Sequence, residues 1–120
     1  MALERGKLSN VVRVSAGDTV GIITVSSSKK VYIKSIIAHA AGTGVGTATA
    51  QVYFCPVGVS SAATNRIFDV DILAGETVLL EPSYPIVLDT TGDSLQVGTG
   101  NAIGLAATHV NFLITGDKEA

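Results

Sequence analysis

A short phrase recurs along this chain: a small residue, a glycine, an acidic residue, then the first residues of a β-like run. It reads Ala16-Gly17-Asp18-Thr19-Val20 and again Ala74-Gly75-Glu76-Thr77-Val78. Looser copies are Thr91-Gly92-Asp93-Ser94-Leu95 and Thr115-Gly116-Asp117. Glycine adopts backbone conformations with φ > 0 at no steric cost, so each copy reads as a tight turn feeding a strand. A chain punctuated in this way is built from hairpins. The acidic residues beside the glycines are expected to fasten the turns through local backbone contacts.

The segments between the turns read as strands over about 10–14, 19–25, 30–39, 47–55, 66–72, 77–81, 85–88, 94–98 and 107–115. None carries a 3.6-residue period over a helical length. Several alternate with a period of two. Ala48, Ala50, Val52 and Phe54 face one way, against Thr47, Thr49, Gln51 and Tyr53. Phe68, Val70 and Ile72 alternate with Asp69 and Asp71, and Val110, Phe112 and Ile114 with His109, Asn111 and Leu113. One buried and one wet face per strand implies antiparallel sheets packed in a sandwich. The run 31–39 is apolar on both sides, which predicts a central strand or one whose outer face meets a partner. Residues 40–46, 56–65 and 98–104 read as loops, the first and last glycine-rich. Residues 1–9 are polar and patternless and read as an N-terminal arm, ahead of a single domain over 10–120.

Charged residues make up 15% of the chain, against a usual share of about 25%. Hydrophobic residues make up 47%, yet no run approaches the roughly 18 apolar residues of a membrane span. A chain with so few charges for its surface is expected to hide part of that surface in an assembly; the alternative is a compact monomer with a Thr/Ser/Ala-rich exterior. The net charge of −2 is unevenly spread. Residues 1–35 hold six basic and two acidic side chains, +4; residues 36–120 hold two basic and eight acidic ones, −6. This split suits docking of the basic N-terminal part on an acidic neighbour, which could be another copy. There is no basic run with aromatic interleaving, so no nucleic-acid footprint, and no membrane partner is expected. Cys55 is the single cysteine, which rules out an intramolecular disulfide and fits a reducing compartment. The first residues lack the apolar stretch of a signal peptide.

No catalytic constellation can be assembled. The glycines of 42–46 and 98–100 open no helix and precede no phosphate-loop Lys-Ser/Thr. Asp69 and Asp71 project to one face and could hold calcium or act as an acid/base pair, but a solvated strand face predicts the same placement. His39 and His109 lack the context of a nucleophile elbow, and Cys55 lacks a nearby basic cluster. The expectation is a non-enzymatic protein with no metal or other cofactor. Contact residues are sought instead on the arm, at Arg5, Lys7 and Arg13, and among outward aromatics, at Tyr32 and Tyr53, since exposed tyrosines anchor interfaces or stack on sugars.

The order of Tyr32-Ile33-Lys34-Ser35-Ile36-Ile37-Ala38-His39, the strand ending Val52-Tyr53-Phe54, then Gly75-Glu76-Thr77-Val78-Leu79-Leu80-Glu81, Pro85-Ile86-Val87-Leu88 and Gly92-Asp93-Ser94-Leu95-Gln96-Val97 resembles the small β-sandwich structural proteins of tailed-phage virions. The resemblance covers roughly residues 30–115 and rests on strand and turn patterns. It implies an all-β, jelly-roll-like sandwich of about eight or nine strands that decorates or cements a capsid, or sits on the neck or tail. It further implies a symmetric homotrimer, contact with a major capsid protein or another virion protein, and assembly in the host bacterial cytoplasm. A different class of reading is a carbohydrate- or receptor-binding sandwich of a tail or fibre that uses the three loops.

Overall fold

A computed structural model describes residues 3–15, 17–27, 29–100 and 103–119, with backbone alone at 43–45 and 103–108. Ala16 of the first turn phrase and Asn101 and Ala102 of the last loop lie outside the described residues. The described residues form nine strands: β1 (Leu3–Lys7), β2 (Val12–Ser15), β3 (Thr19–Thr24), β4 (Val31–Cys55), β5 (Arg66–Leu73), β6 (Thr77–Leu80), β7 (Ile86–Leu88), β8 (Ser94–Thr99) and β9 (Ile103–Glu119). One turn of 3-10 helix, Ala63–Asn65, lies before β5.

β4 organises the rest. Its 25 residues, fully extended, would span about 80 Å, but the molecule is 48 Å in its longest dimension, so the strand folds back on itself. The register with β9 slips between Ala41 and Thr43 and again between Gly44 and Thr47. That irregular stretch is the corner. The 40–46 segment expected as a loop is therefore strand, bent where small residues leave room for the bend.

Every other segment follows the same bend. Along one side of β4, β8 pairs residues 50–55 and β9 pairs residues 31–47, so 94–119 shadows β4 from end to end. Along its other side lie β5, β6 and β7. Beyond β8 and β9 lie β3, β2 and β1. Four bent antiparallel lanes result, in the spatial order 3–24, 94–119, 31–55, 66–88. One half of the lanes forms sheet I: β1 and β2, β9, the first half of β4, then β6 and β7. The other half forms sheet II: β3, β8, the second half of β4, then β5. Numbering the eight half-lanes along the chain, the sheets read 1-8-3-6 and 2-7-4-5, the order of a jelly roll. The all-β antiparallel sandwich expected from the alternation is the fold observed.

The sheets face each other across one core. Val14, Ile33, Ile36, Leu88, Val110, Phe112 and Ile114 enter it from sheet I, and Ile23, Val52, Ile72, Leu95 and Val97 from sheet II. Ile33 and Ile36 differ in phase yet both point inward, because a bulge between Ile33 and Ser35 resets the alternation.

The recurring glycine phrase marks the places where the chain changes sheet. Asp18, Glu76 and Asp93 each donate a backbone hydrogen bond to the carbonyl three residues back, on Ser15, Leu73 and Thr90 (2.8–3.0 Å). Gly17, Gly75 and Gly92 have φ of 81°, 82° and 97°, the glycine-favoured value for the third residue of a type II turn. Each turn also grips one residue of a neighbouring lane, through the glycine N–H and the acidic residue's C=O: Thr99, Ala40 and Val25 respectively. The turns at 17 and 75 close the corner end, and the turn at 92 closes the opposite end. Two of the acidic side chains fasten their turns: Glu76 accepts from Leu73 N–H, and buried Asp93 accepts from Thr90 and Val57 N–H, all at 3.1 Å.

Two further expectations need correction. Thr115-Gly116-Asp117 is not a turn but the interior of β9, where Gly116 lies so close to the Tyr32 carbonyl that a Cβ would overlap it. Residues 3–7 are not a patternless arm but β1, paired with β9 from Leu3↔Glu119 to Lys7↔Thr115 with all five side chains exposed. Backbone pairing needs no apolar pattern, so that strand left no alternation to read.

Candidate assembly surface

The outward face of sheet I can be read as rows that cross all four lanes. In one row Tyr32 stands between Val87 and Asp117, and Asp117 beside Arg5. In the next, Lys7 stands beside Thr115, and Thr115 beside Ser35 with their hydroxyls hydrogen-bonded. Then Leu79, Ile37 and Leu113 lie side by side. The last runs Thr77, His39, Asn111, Arg13, with His39 Nδ1 2.8 Å from the Thr77 hydroxyl. The three basic residues singled out from the sequence thus share one face and one edge, although Arg13 sits on β2 and the other two on β1.

Their environments differ. The bulge after Ile33 aims Lys34 at Asp117, with Nζ 2.7 Å from Oδ2. Arg5 adds a looser ion pair at 3.4 Å to Oδ1. Asp117 is only 3% exposed, and its bond with Lys34, more than the charge of Arg5, holds its carboxyl below the usual carboxylate range. Arg5 is therefore partly committed within its own chain. Among the described residues, Lys7 reaches Asn10, at 2.8 Å, and Arg13 forms no ion pair.

The tyrosines sort differently from the expectation. Tyr32 faces outward, half-buried. Tyr53 is 6% exposed: the guanidinium of Arg66 sits 5.4 Å above its ring, and its hydroxyl donates to Gln51. Tyr84, 85% exposed between Pro82 and Pro85, is the open aromatic. Asp69 and Asp71 are the solvated pair the alternation predicts, bound to Arg66 and the Thr49 hydroxyl. Burial pushes the Cys55 thiol up, which keeps it protonated and unreactive. His39 and His109 stand diagonally on adjacent strands, a proximity the sequence concealed. Among the described residues no group of three His, Cys, Asp or Glu side chains is placed to hold a metal ion.

The three segments expected as loops do not converge. Residues 40–47, Thr99 and Ile103 share the corner end, whereas 56–65 begins at the far end of β4, roughly 30 Å away along the strand.

The exposed apolar side chains do concentrate. Of nine large ones among the described residues, seven lie in the two edge lanes: Leu3 and Val11 in 3–24, and Ile67, Leu73, Leu79, Tyr84 and Val87 in 66–88. The lane 66–88 also holds four acidic residues, Asp69, Asp71, Glu76 and Glu81, against one basic, Arg66.

No family model matches this sequence, and no curated protein is similar to it. Among solved structures, a chain in the structure of infectious bursal disease virus, Gx strain, is similar at a TM-score of 0.48 and 14% identity. The match takes in 95% of this chain and 32% of that one, so this chain spans about a third of its length.

Proposed function

We propose that this protein is a non-enzymatic structural subunit of a virion, a decoration or cement protein that stabilises the head of a tailed phage as a homotrimer bound to the major capsid protein. The observation that carries this reading is the gathering of seven of the nine exposed large apolar side chains on the two edge lanes of a jelly roll. A monomer has no use for apolar edges: each one invites pairing with another chain. A low overall charge and a rigid sandwich suit a protein whose work is to hold neighbours together, with apolar area buried at about 25 cal/mol per Å². Its place of action in this reading is the virion, with assembly in the bacterial cytoplasm. The test is occupancy: phage heads lacking the protein are incubated with it and assayed for retention and for resistance to heat. Saturable binding that raises the disruption temperature supports the reading; no binding to any head form overturns it.

A further inference from the structure

The outward rows of sheet I end in matching chemistry at opposite edges. Lys7 begins the row that continues through Thr115 and Ser35. Leu80 pairs with Ile36, so Glu81, the next residue, stands beside Ser35 at the far end of that row. The adjacent row runs through Leu113 and Ile37 to Leu79, which is 54% exposed. Its other end falls to Val11, 63% exposed, because Val12 pairs with Phe112. The third row runs from Arg13 through Asn111 and His39 to Thr77, with exposed Glu76 next to it. Three consecutive rows thus read basic to acidic, apolar to apolar, and basic to polar with an acid beside it.

Deepening the self-assembly reading above and resting on it, we propose that copies of this chain join edge to edge, the 3–15 edge of one against the 77–88 edge of the next. The register is the unslipped one, with Lys7 facing Glu81, Val11 facing Leu79 and Arg13 facing the Thr77–Glu76 corner. Lanes alternate in direction, so the meeting edges are antiparallel. β6 and β7 are only four and three residues long and are separated by Pro82 and Pro85, so side chains rather than a continuous backbone ladder make the contact. Two different surfaces meet, so the contact is heterologous and generates a ring when the rotation closes.

Light scattering after size exclusion tests it. The wild type is expected as one closed oligomer that loosens as salt rises. Lys7→Glu alone and Glu81→Lys alone each set like charges opposite one another, and each is expected to weaken association about a hundredfold. Lys7→Glu with Glu81→Lys in one chain restores opposite charges and should restore the oligomer. Thermal unfolding of each variant separates lost association from lost folding. A wild type monomeric at all concentrations, or a double variant no better than the singles, overturns the edge contact. A monomer that still binds phage heads leaves decoration standing without this contact; an oligomer that ignores heads does the reverse.

Discussion

Two glycines that look alike in the sequence have different structural duties. At Gly75 a Cβ would meet nothing within 4 Å, so only the positive φ opposes a side chain. Gly75→Ala is expected to cost about 1 kcal/mol in urea unfolding. At Gly116 a Cβ would overlap the Tyr32 carbonyl, and backbone cannot move aside as a side chain can. Gly116→Ala is expected to cost about 3 kcal/mol or more by the same measurement. Beside it, Asp117 makes stability depend on pH. Its carboxyl titrates lower in the folded chain than in the unfolded one, chiefly because of Lys34. The contribution is complete above the ordinary carboxylate pKa of about 3.9 and is lost as pH falls through the lower folded value. Asp117→Asn is expected to flatten that part of the profile, seen as a smaller drop in unfolding midpoint between about pH 5 and pH 2.

At the scale of elements, β1 and β9 make opposite contributions. β1 buries none of its five side chains and is held by its ladder to β9, the Arg5–Asp117 pair and a 3.6 Å pair between Glu4 and Lys118. Removing residues 1–7 is expected to leave a cooperative fold with Tm lowered by a few degrees, about 1–2 kcal/mol. β9 carries Val110, Phe112 and Ile114 into the core. Phe112→Ala is expected to cost about 3–5 kcal/mol, measured by urea or heat. The period-two pattern made β5 and β9 legible because each has one wet and one dry face. It could not reveal β1, whose side chains are all wet, nor the continuity of β4 through 40–46, where glycine and alanine offer no contrast between faces.

For the whole molecule, the jelly roll turns a one-dimensional charge split into a geometric one. Segment 3–24 and segment 66–88 are separated in sequence by the long β4 and become the two opposite edges of the sandwich. Association that depends on those edges should weaken with salt and with Leu79→Ser, while the core and Tm stay nearly unchanged, because Leu79 lies outside the core. Equal salt tolerance of the oligomer from low salt to about 1 M would count against charge at the edges. The basic trio was legible as composition, but its common face was not, because Arg13 reaches β1's side of the sheet only through β2's register on β9. Alternation places Tyr53 on an outward face and says nothing of Arg66 lying over that face.

The sequence by itself determined strand, turn and sandwich. Those depend on local chemistry: glycine's access to φ > 0, β-branched propensity and a period of two. The tertiary structure decided which turns are corners, which acidic residue is buried against a lysine, and which edges confront a neighbour. These depend on lane order and register, which are set by contacts between residues far apart in the chain. The small-Gly-acid phrase shows the division. Three copies became corners and closures, and the fourth became the interior of β9, where Gly116 lies against the Tyr32 carbonyl beside the bulge in β4.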